Sequence, residues 1–369
     1  MGVGGPDPAK SYEVMIPGKT FLVGEYLALE GGPSVVANTH PSFRFRWTLE
    51  QADGGAARIE HGFHPESPAG KFLNRLNASR LLGTEKATIE FHDPHYGKGG
   101  LGASTAEFLG AWVFERWATE FEHADIRDHR ELVESLANHL GEVAPLWKSE
   151  RYGSARFRDL LDSYRLVVET GSGADLVSQA AGGIAVWDGV ADQMRKFTWP
   201  FSELSMTLLK TGRKLQTHRY LAESVQGGGM PSSMSTSVGL KPLEPDFVED
   251  MREWVREAIQ GLAFSDADRF IAAVRGTGRA LANTGRVASH TSTILDELSE
   301  ESEIRAAKGC GAMGSDVILV LHDGSRQASA KLLDLQARHG LELAATENDL
   351  QLASLQISNA QESELGMSV

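Results

Sequence analysis

The stretch Gly97-Lys98-Gly99-Gly100-Leu101-Gly102-Ala103-Ser104, GKGGLGAS, decides how the rest of the chain is read. It nearly spells the phosphate-loop pattern G-x-x-x-x-G-K-[ST], with both glycines and the serine in place and Ala103 where the lysine belongs. From Thr105 to Phe121 the spacing is helical: Phe108, Leu109, Trp112, Val113 and Trp117 share one face, and Glu115, Arg116 and Glu120 lie mostly off it. The glycines therefore run into a helix N-terminus, where unpaired backbone N–H groups and the positive end of the helix dipole attract an anion without a lysine. The same letters also describe an ordinary helix start, with Ser104 and Glu107 in the S-x-x-E order of a capping box. Taken alone, the loop leaves both readings open.

A chain of 369 residues with 41% hydrophobic side chains can bury a full core and is long enough for two domains. No apolar run approaches the roughly 18 to 20 residues of a membrane span, and the start MGVGGPDPAKSYE lacks the basic and apolar regions of a signal peptide, so a cytoplasmic protein with no membrane partner is expected. Cys310, the sole cysteine, excludes an internal disulfide framework and a Cys-rich zinc site. The net charge of -14 argues against a nucleic-acid partner, which is held by clustered Lys and Arg. Any anionic ligand must meet a locally basic pocket.

Residues 12–49 read as paired strands (YEVMI, TFLVGEYLAL, PSVVAN, FRFRWTL) with a turn at Gly31-Gly32-Pro33. Helical spacing recurs at 128–140, 155–164, 174–181, 217–226, 246–262, 266–283 and 291–307, interrupted by the strand-like GGIAVWD, SMTLLKT and DVILVLH. This irregular alternation favours an α+β organisation over a doubly wound parallel sheet. Trp199-Pro200 marks a division into 1–200 and 201–369, and the polar stretches GGGMPSSMSTS and SNAQESELGMSV read as surface segments.

Further elements carry chemistry. Lys308-Gly309-Cys310-Gly311-Ala312-Met313-Gly314-Ser315-Asp316 separates a predicted helix from the strand VILVL, and small residues there let backbone approach a ligand. Thr170-Gly171-Ser172-Gly173-Ala174-Asp175 leads into a short helix, and Pro17-Gly18-Lys19 precedes Gly24-Glu25-Tyr26. Each has an ordinary reading as a β-turn, a cap-region acid or a solvated lysine. Beside a phosphate pocket, Asp175 would instead accept or orient a hydroxyl proton, while a nearby Lys19 would keep that carboxylate ionised and stabilise charge on a transferring phosphoryl group. A metal-dependent hydrolase built on His92-Asp93-Pro94-His95 is disfavoured by Pro94, which spoils the register that would aim both imidazoles at one ion.

PGKTFLVGEYLALEGGPSVVA, GGLGASTA, GSGADLVSQAAGGIAVW and KGCGAMGSD follow one another in the order and at about the separations of the GHMP kinases, and the chain resembles that family over residues 12–321. The resemblance implies a two-lobed α+β fold, with an N-terminal lobe like domain 2 of ribosomal protein S5 over 1–200 and a ferredoxin-like C-terminal lobe over 201–369. It implies ATP and Mg2+ as cofactors. Lys98, Gly99, Gly100, Leu101, Gly102, Ala103, Ser104 and Thr105 would wrap the nucleotide phosphates, and the Ser104 hydroxyl would be linked to magnesium. Asp175 and Lys19 would be catalytic. Lys19, Glu25, Tyr26, Ser172, Gly173, Arg213, Lys214, Gly311 and Ala312 would face the acceptor substrate. Ala103 and Met313 depart from the family pattern, standing where a serine and a glycine are usual.

Tyr26, the run from Ser172 to Asp175, and Asp316 resemble phosphomevalonate kinases; mevalonate kinases commonly carry histidine at the position of Tyr26. The segment Lys210-Thr211-Gly212-Arg213-Lys214-Leu215-Gln216-Thr217-His218-Arg219 resembles the family's substrate-side loop, though a basic run is also how a solvated face reads. The implied activity is ATP-dependent phosphorylation of phosphomevalonate by a monomer or homodimer, with mevalonate as the alternative substrate. A catalytically silent ligand-binding protein of the same fold is the other alternative, favoured by Ala103 and Met313 and opposed by Lys19, Ser104 and Asp175.

Overall fold

Strands β1 (Lys10–Val23) and β2 (Pro33–Gln51) pair antiparallel from Lys10 opposite Leu49 to Val23 opposite Val35, as the apolar runs of this region predict. TFLVGEYLAL, however, does not stay extended. Gly24 takes φ +88, and the chain enters a short helix, α1 (Glu25–Leu29). A β-carbon on Gly24 would sit 2.8 Å from the Pro33 carbonyl oxygen, so the turn that lifts Glu25 and Tyr26 out of the strand requires glycine. The turn before Pro33 forms where it is expected.

The computed structural model describes residues 10–123, 155–168, 171–191, 193–212, 243–352 and 355–359. The helical readings at 128–140 and 217–226, the stretch 227–237, and Glu169, Thr170, Arg213, Lys214, His218 and Arg219 lie outside the described residues, as does the tail from Ala360. Next along the chain come β3 (Arg58–His61), α2 (Pro68–Leu73), α3 (Ala78–Leu82), β4 (Glu85–His92) and the long α4 (Ala103–His123). They are followed by α5 (Ala155–Arg165), α6 (Ala174–Ala181), β5 (Ile184–Asp188), β6 (Gln193–Phe197) and β7 (Ser205–Lys210). The remainder contains α7 (Pro245–Phe264), α8 (Ala267–Asn283), α9 (Ser289–Ser299), β8 (Ile304–Cys310), β9 (Val317–His322), α10 (Arg326–His339), β10 (Glu342–Thr346) and β11 (Gln356–Asn359).

The strands form two sheets, giving the predicted α+β class. The first has the order β11-β1-β2-β4-β3, with β5 on the other end of β2 and β6 beside β5; among the described residues, only β3 and β4 run parallel. The second is antiparallel with the order β10-β7-β9-β8. The chain crosses from the first sheet to the second at 198–204, and β11 returns to the first beside β1. The helix expected over 291–307 stops at Ser299, because Ile304–Cys310 pairs along β9; sheet pairing overrides the helical preference of Ala306 and Ala307. The loop near 311–316 consequently joins two strands, not a helix and a strand.

Phe43, Phe45, Trp47, Phe108 and Phe114 belong to a core that continues into Met206, Leu208 and Leu319 of the second sheet. The other face of that sheet, Leu209, Ile318 and Val320, packs with Ile294 and Leu298 of α9 and Leu332 and Leu335 of α10. No helix among the described residues is long and apolar enough to cross a membrane. Gly110 seats α4 on the first sheet: a β-carbon there would lie 2.2 Å from Phe45 Cδ2. Gly110→Ala is therefore expected to lower the unfolding free energy by about 1–3 kcal/mol through overpacking, although alanine is the better helix former. Urea denaturation checks this, and an unchanged or raised midpoint would show that α4 is not held so closely.

Candidate active site

The loop ahead of α4 is built on left-handed glycines, with φ +71 at Gly97, +80 at Gly100 and +88 at Gly102. Its lead-in is tied by the Asp93 carboxylate, which accepts the backbone N–H groups of His95 at 2.7 Å and Gly97 at 2.8 Å. Asp93 is thereby committed to a turn. Among the described residues, no group of three or more His, Cys, Asp or Glu could hold a metal ion. Helix α4 begins at Ala103, so Ser104 is its second residue and not the cap, and its side chain is exposed in the first turn. Thr105 points inward, 2.9 Å from the Gly102 carbonyl oxygen and hydrogen-bonded to Gln179.

Gln179 of α6 is fully buried and joins three elements: its Nε2 donates to the Pro17 carbonyl at 2.8 Å and to the Gly102 carbonyl at 3.2 Å. The glycine loop crosses strand β1 beside it. The Lys19 backbone N–H donates to the Leu101 carbonyl at 2.9 Å, and a β-carbon on Gly102 would lie 2.7 Å from Lys19 Cγ. Lys19 Nζ then reaches Asp175 Oδ2 at 3.5 Å, with the two side chains 13% and 28% exposed. Asp175 stands in the first turn of α6, behind Gly173 at φ +69, where a β-carbon would strike Leu161 Cδ2 at 2.4 Å. Ser172 Oγ accepts the Ala174 N–H at 3.2 Å and so helps form this turn. The buried Tyr164 hydroxyl has its pKa pushed up, first by burial and then by the Asp175 charge.

The third glycine loop packs against the first. A β-carbon on Gly100 would lie 2.4 Å from Asp316 Cβ, and one on Gly311 would lie 2.8 Å from Asp316 Oδ2. Two residues after Gly311, Met313 takes φ +54, a left-handed conformation that glycine adopts without strain. Its N–H donates to the Tyr26 hydroxyl at 3.4 Å, and its carbonyl accepts the Ala288 N–H at 2.8 Å. Glu25 is committed elsewhere than expected: its Oε1 is 2.7 Å from Lys308 Nζ, with the side chains 7% and 0% exposed. Burial opposes the Lys308 charge, but Cys310 and Glu25 beside it hold its pKa above the usual lysine value.

Lys98 and Lys210 are both paired with Glu342 of β10, the second at 3.4 Å, and together they hold its carboxyl below the usual carboxylate range. Arg213 and Lys214 lie outside the described residues. The structure thus brings Lys19, Gly102, Thr105 and Asp175 together, with Gly100 and Gly311 meeting across Asp316, and gives Glu25 a structural partner. Gln179, Lys308 and Glu342 were assigned no role from sequence, and no local pattern marks them.

No protein-family model matches the chain, and no curated protein matches it by sequence. Its fold is that of solved GHMP kinase structures. A protein from Listeria innocua is 15% identical, with 95% of this chain and 100% of that one covered at a TM-score of 0.63. Phosphomevalonate kinase from Streptococcus pneumoniae is 15% identical over 91% of this chain and 99% of its own, at a TM-score of 0.60. The mevalonate kinase of L. major, solved with R-mevalonate, is 15% identical over 95% and 100%, at 0.59.

Because Glu25 and Lys308 link α1 to β8 inside the protein, Lys308→Met should cost about 3–5 kcal/mol by leaving a buried carboxylate unpaired. Adding Glu25→Leu should recover most of that loss. Denaturant midpoints of the two variants check it: equal stability would mean that the pair is hydrated and carries no such constraint.

Proposed function

We propose that this protein is an ATP-dependent small-molecule kinase acting on phosphomevalonate to form diphosphomevalonate. The observation that carries the reading is the Lys19–Asp175 pair placed beside a glycine loop that enters α4. Backbone N–H groups of Gly100 to Thr105 and the α4 dipole suit the nucleotide phosphates. The Ser104 hydroxyl, an exposed oxygen donor in the first helical turn, fits Mg2+, a hard cation that takes few protein ligands and draws the rest from phosphates and water. When bound, Mg-ATP supplies the phosphoryl group and part of its charge compensation.

Lys19 serves either acceptor. Its ammonium lines up an anionic oxygen and offsets charge that builds on the transferring group. With phosphomevalonate the attacking atom is a phosphate oxygen, mostly ionised at neutral pH, and Asp175 chiefly holds the Lys19 ammonium in position. With mevalonate the attacker is a hydroxyl, and Asp175 takes its proton. The partly exposed Asp175 carboxylate is the observation that favours mevalonate as the second reading. Tyr26, whose hydroxyl accepts the Met313 N–H, supports the first through the resemblance of that position to phosphomevalonate kinases.

ADP release measured against phosphomevalonate, mevalonate, homoserine and galactose tests the proposal, with the highest kcat/KM expected for phosphomevalonate. Lys19→Ala should lower turnover roughly 100-fold with any acceptor, whereas Asp175→Asn should do so with a hydroxyl acceptor and less with a phosphate acceptor. Near-normal turnover by both variants would place the chemistry elsewhere, and a preference for mevalonate with a full Asp175 effect would make the protein a mevalonate kinase.

A further inference from the structure

Arg286 lies in the segment joining α8 to α9, beside the third glycine loop, since Ala288 two residues on bonds the Met313 carbonyl. Its guanidinium is stacked over two rings, 4.5 Å from the Phe247 centroid and 5.7 Å from that of Tyr26, whose hydroxyl also faces Met313. The side chain is only 13% exposed. A guanidinium presents five N–H donors in a rigid fork. Among the described residues, its one hydrogen-bond partner is Glu244, through a single Nη2 contact of 3.2 Å to a carboxylate that is 64% exposed. Most of the fork is thus fixed in direction by aromatic stacking while its donors remain unused, and the group already docked on it is a carboxylate.

Arg286 is joined to the catalytic candidates through the third glycine loop: Ala288, two residues on, bonds the Met313 carbonyl, and Gly311 of that loop and Gly100 of the first both rest on Asp316. The other cations described near the glycine loops are spoken for: Lys308 by Glu25, and Lys98 and Lys210 by Glu342. We infer that Arg286 binds the carboxylate of the acceptor substrate, displacing Glu244, and so holds the acceptor with its reacting end toward Lys19 and Asp175. This rests on the kinase reading above for what reacts, but not for what binds. Mevalonate and phosphomevalonate both carry the carboxylate, so the residue would select acid-bearing acceptors without distinguishing these two.

The test measures acceptor binding by calorimetry without nucleotide, and KM for acceptor and ATP separately, in wild type, Arg286→Gln, Arg286→Lys and Glu244→Gln. Arg286→Gln should weaken mevalonate and phosphomevalonate alike by at least about tenfold while leaving the ATP KM within about twofold, the loss expected for a charge-assisted bidentate contact. Arg286→Lys, which keeps the charge but not the fork, should be intermediate and should report folding through an unchanged melting temperature. Glu244→Gln should act in the opposite direction and tighten both acceptors, because it removes the competing carboxylate. The triol in which the mevalonate carboxylate is reduced to CH2OH should bind weakly and equally to wild type and Arg286→Gln. Unchanged acceptor affinity in Arg286→Gln, an effect on phosphomevalonate alone, or a wild type that binds neither acid overturns the assignment. Absence of phosphoryl transfer with Arg286-dependent binding intact would instead remove the kinase reading and leave this one standing.

Discussion

Where the glycine loop crosses strand β1, the Leu101 carbonyl accepts the Lys19 N–H and the Cα of Gly102 comes so near the Lys19 stem that a β-carbon would lie 2.7 Å from Cγ. This contact fixes two things at once. It sets the height of the loop above the sheet, and with it the start of α4 at Ala103. It also walls in the lysine stem on the loop side, so that the ammonium is directed to Asp175. Gln179 closes the arrangement from α6 by bonding both Pro17 and Gly102, which ties the helix bearing Asp175 to the strand bearing Lys19. In the reading proposed above, the groups this loop offers to an anion are backbone N–H groups and the helix dipole, so the lysine of G-x-x-x-x-G-K-[ST], absent at Ala103, is not required.

The second sheet is brought to this centre by contacts of a different kind. Gly100 and Gly311 both rest on Asp316, and the buried Glu25–Lys308 pair joins α1 to the strand that leads into the third loop. Met313 keeps the left-handed backbone of that loop at φ +54 despite its side chain, held by hydrogen bonds to Tyr26 and Ala288. A residue in that conformation costs roughly 1–2 kcal/mol and persists where its surroundings fix it. The departure from glycine at 313 therefore leaves the path of the loop intact and adds a side chain to its wall.

Long periodic segments were legible from sequence: α6 spans the predicted 174–181, and α5, α7 and α8 fall within a few residues of expectation. Helix α1 was not, because five residues carry barely more than a turn of period and TFLVGEYLAL reads as continuous strand until Gly24 is known to be left-handed. Strands β3, β6 and β11, of four or five residues, and β8, with its two alanines, are set by their partners more than by their letters. Lys19, Gly102 and Asp175 were legible since each sits in a short glycine-marked motif. Gln179, Glu342 and Arg286 were not, because their meaning lies in a partner distant in sequence. Glu25 was read toward the substrate and is found on Lys308, a pairing across 283 positions that no local pattern announces.

A chain of net charge -14 can admit a polyanion only where backbone dipoles and a few directed cations replace bulk positive charge, and the described cations around the loops are each already matched to a carboxylate. The loop-to-lysine crossing is then the feature whose loss should matter most. Equilibrium binding of Mg-ATP to Gly102→Ala tests it directly. The account predicts a folded protein whose ATP affinity falls at least about tenfold, because a side chain at φ +88 must lift the loop away from Lys19 and β1. Affinity equal to that of wild type in a folded variant would contradict it, showing that the loop neither depends on that contact nor serves as the phosphate cradle.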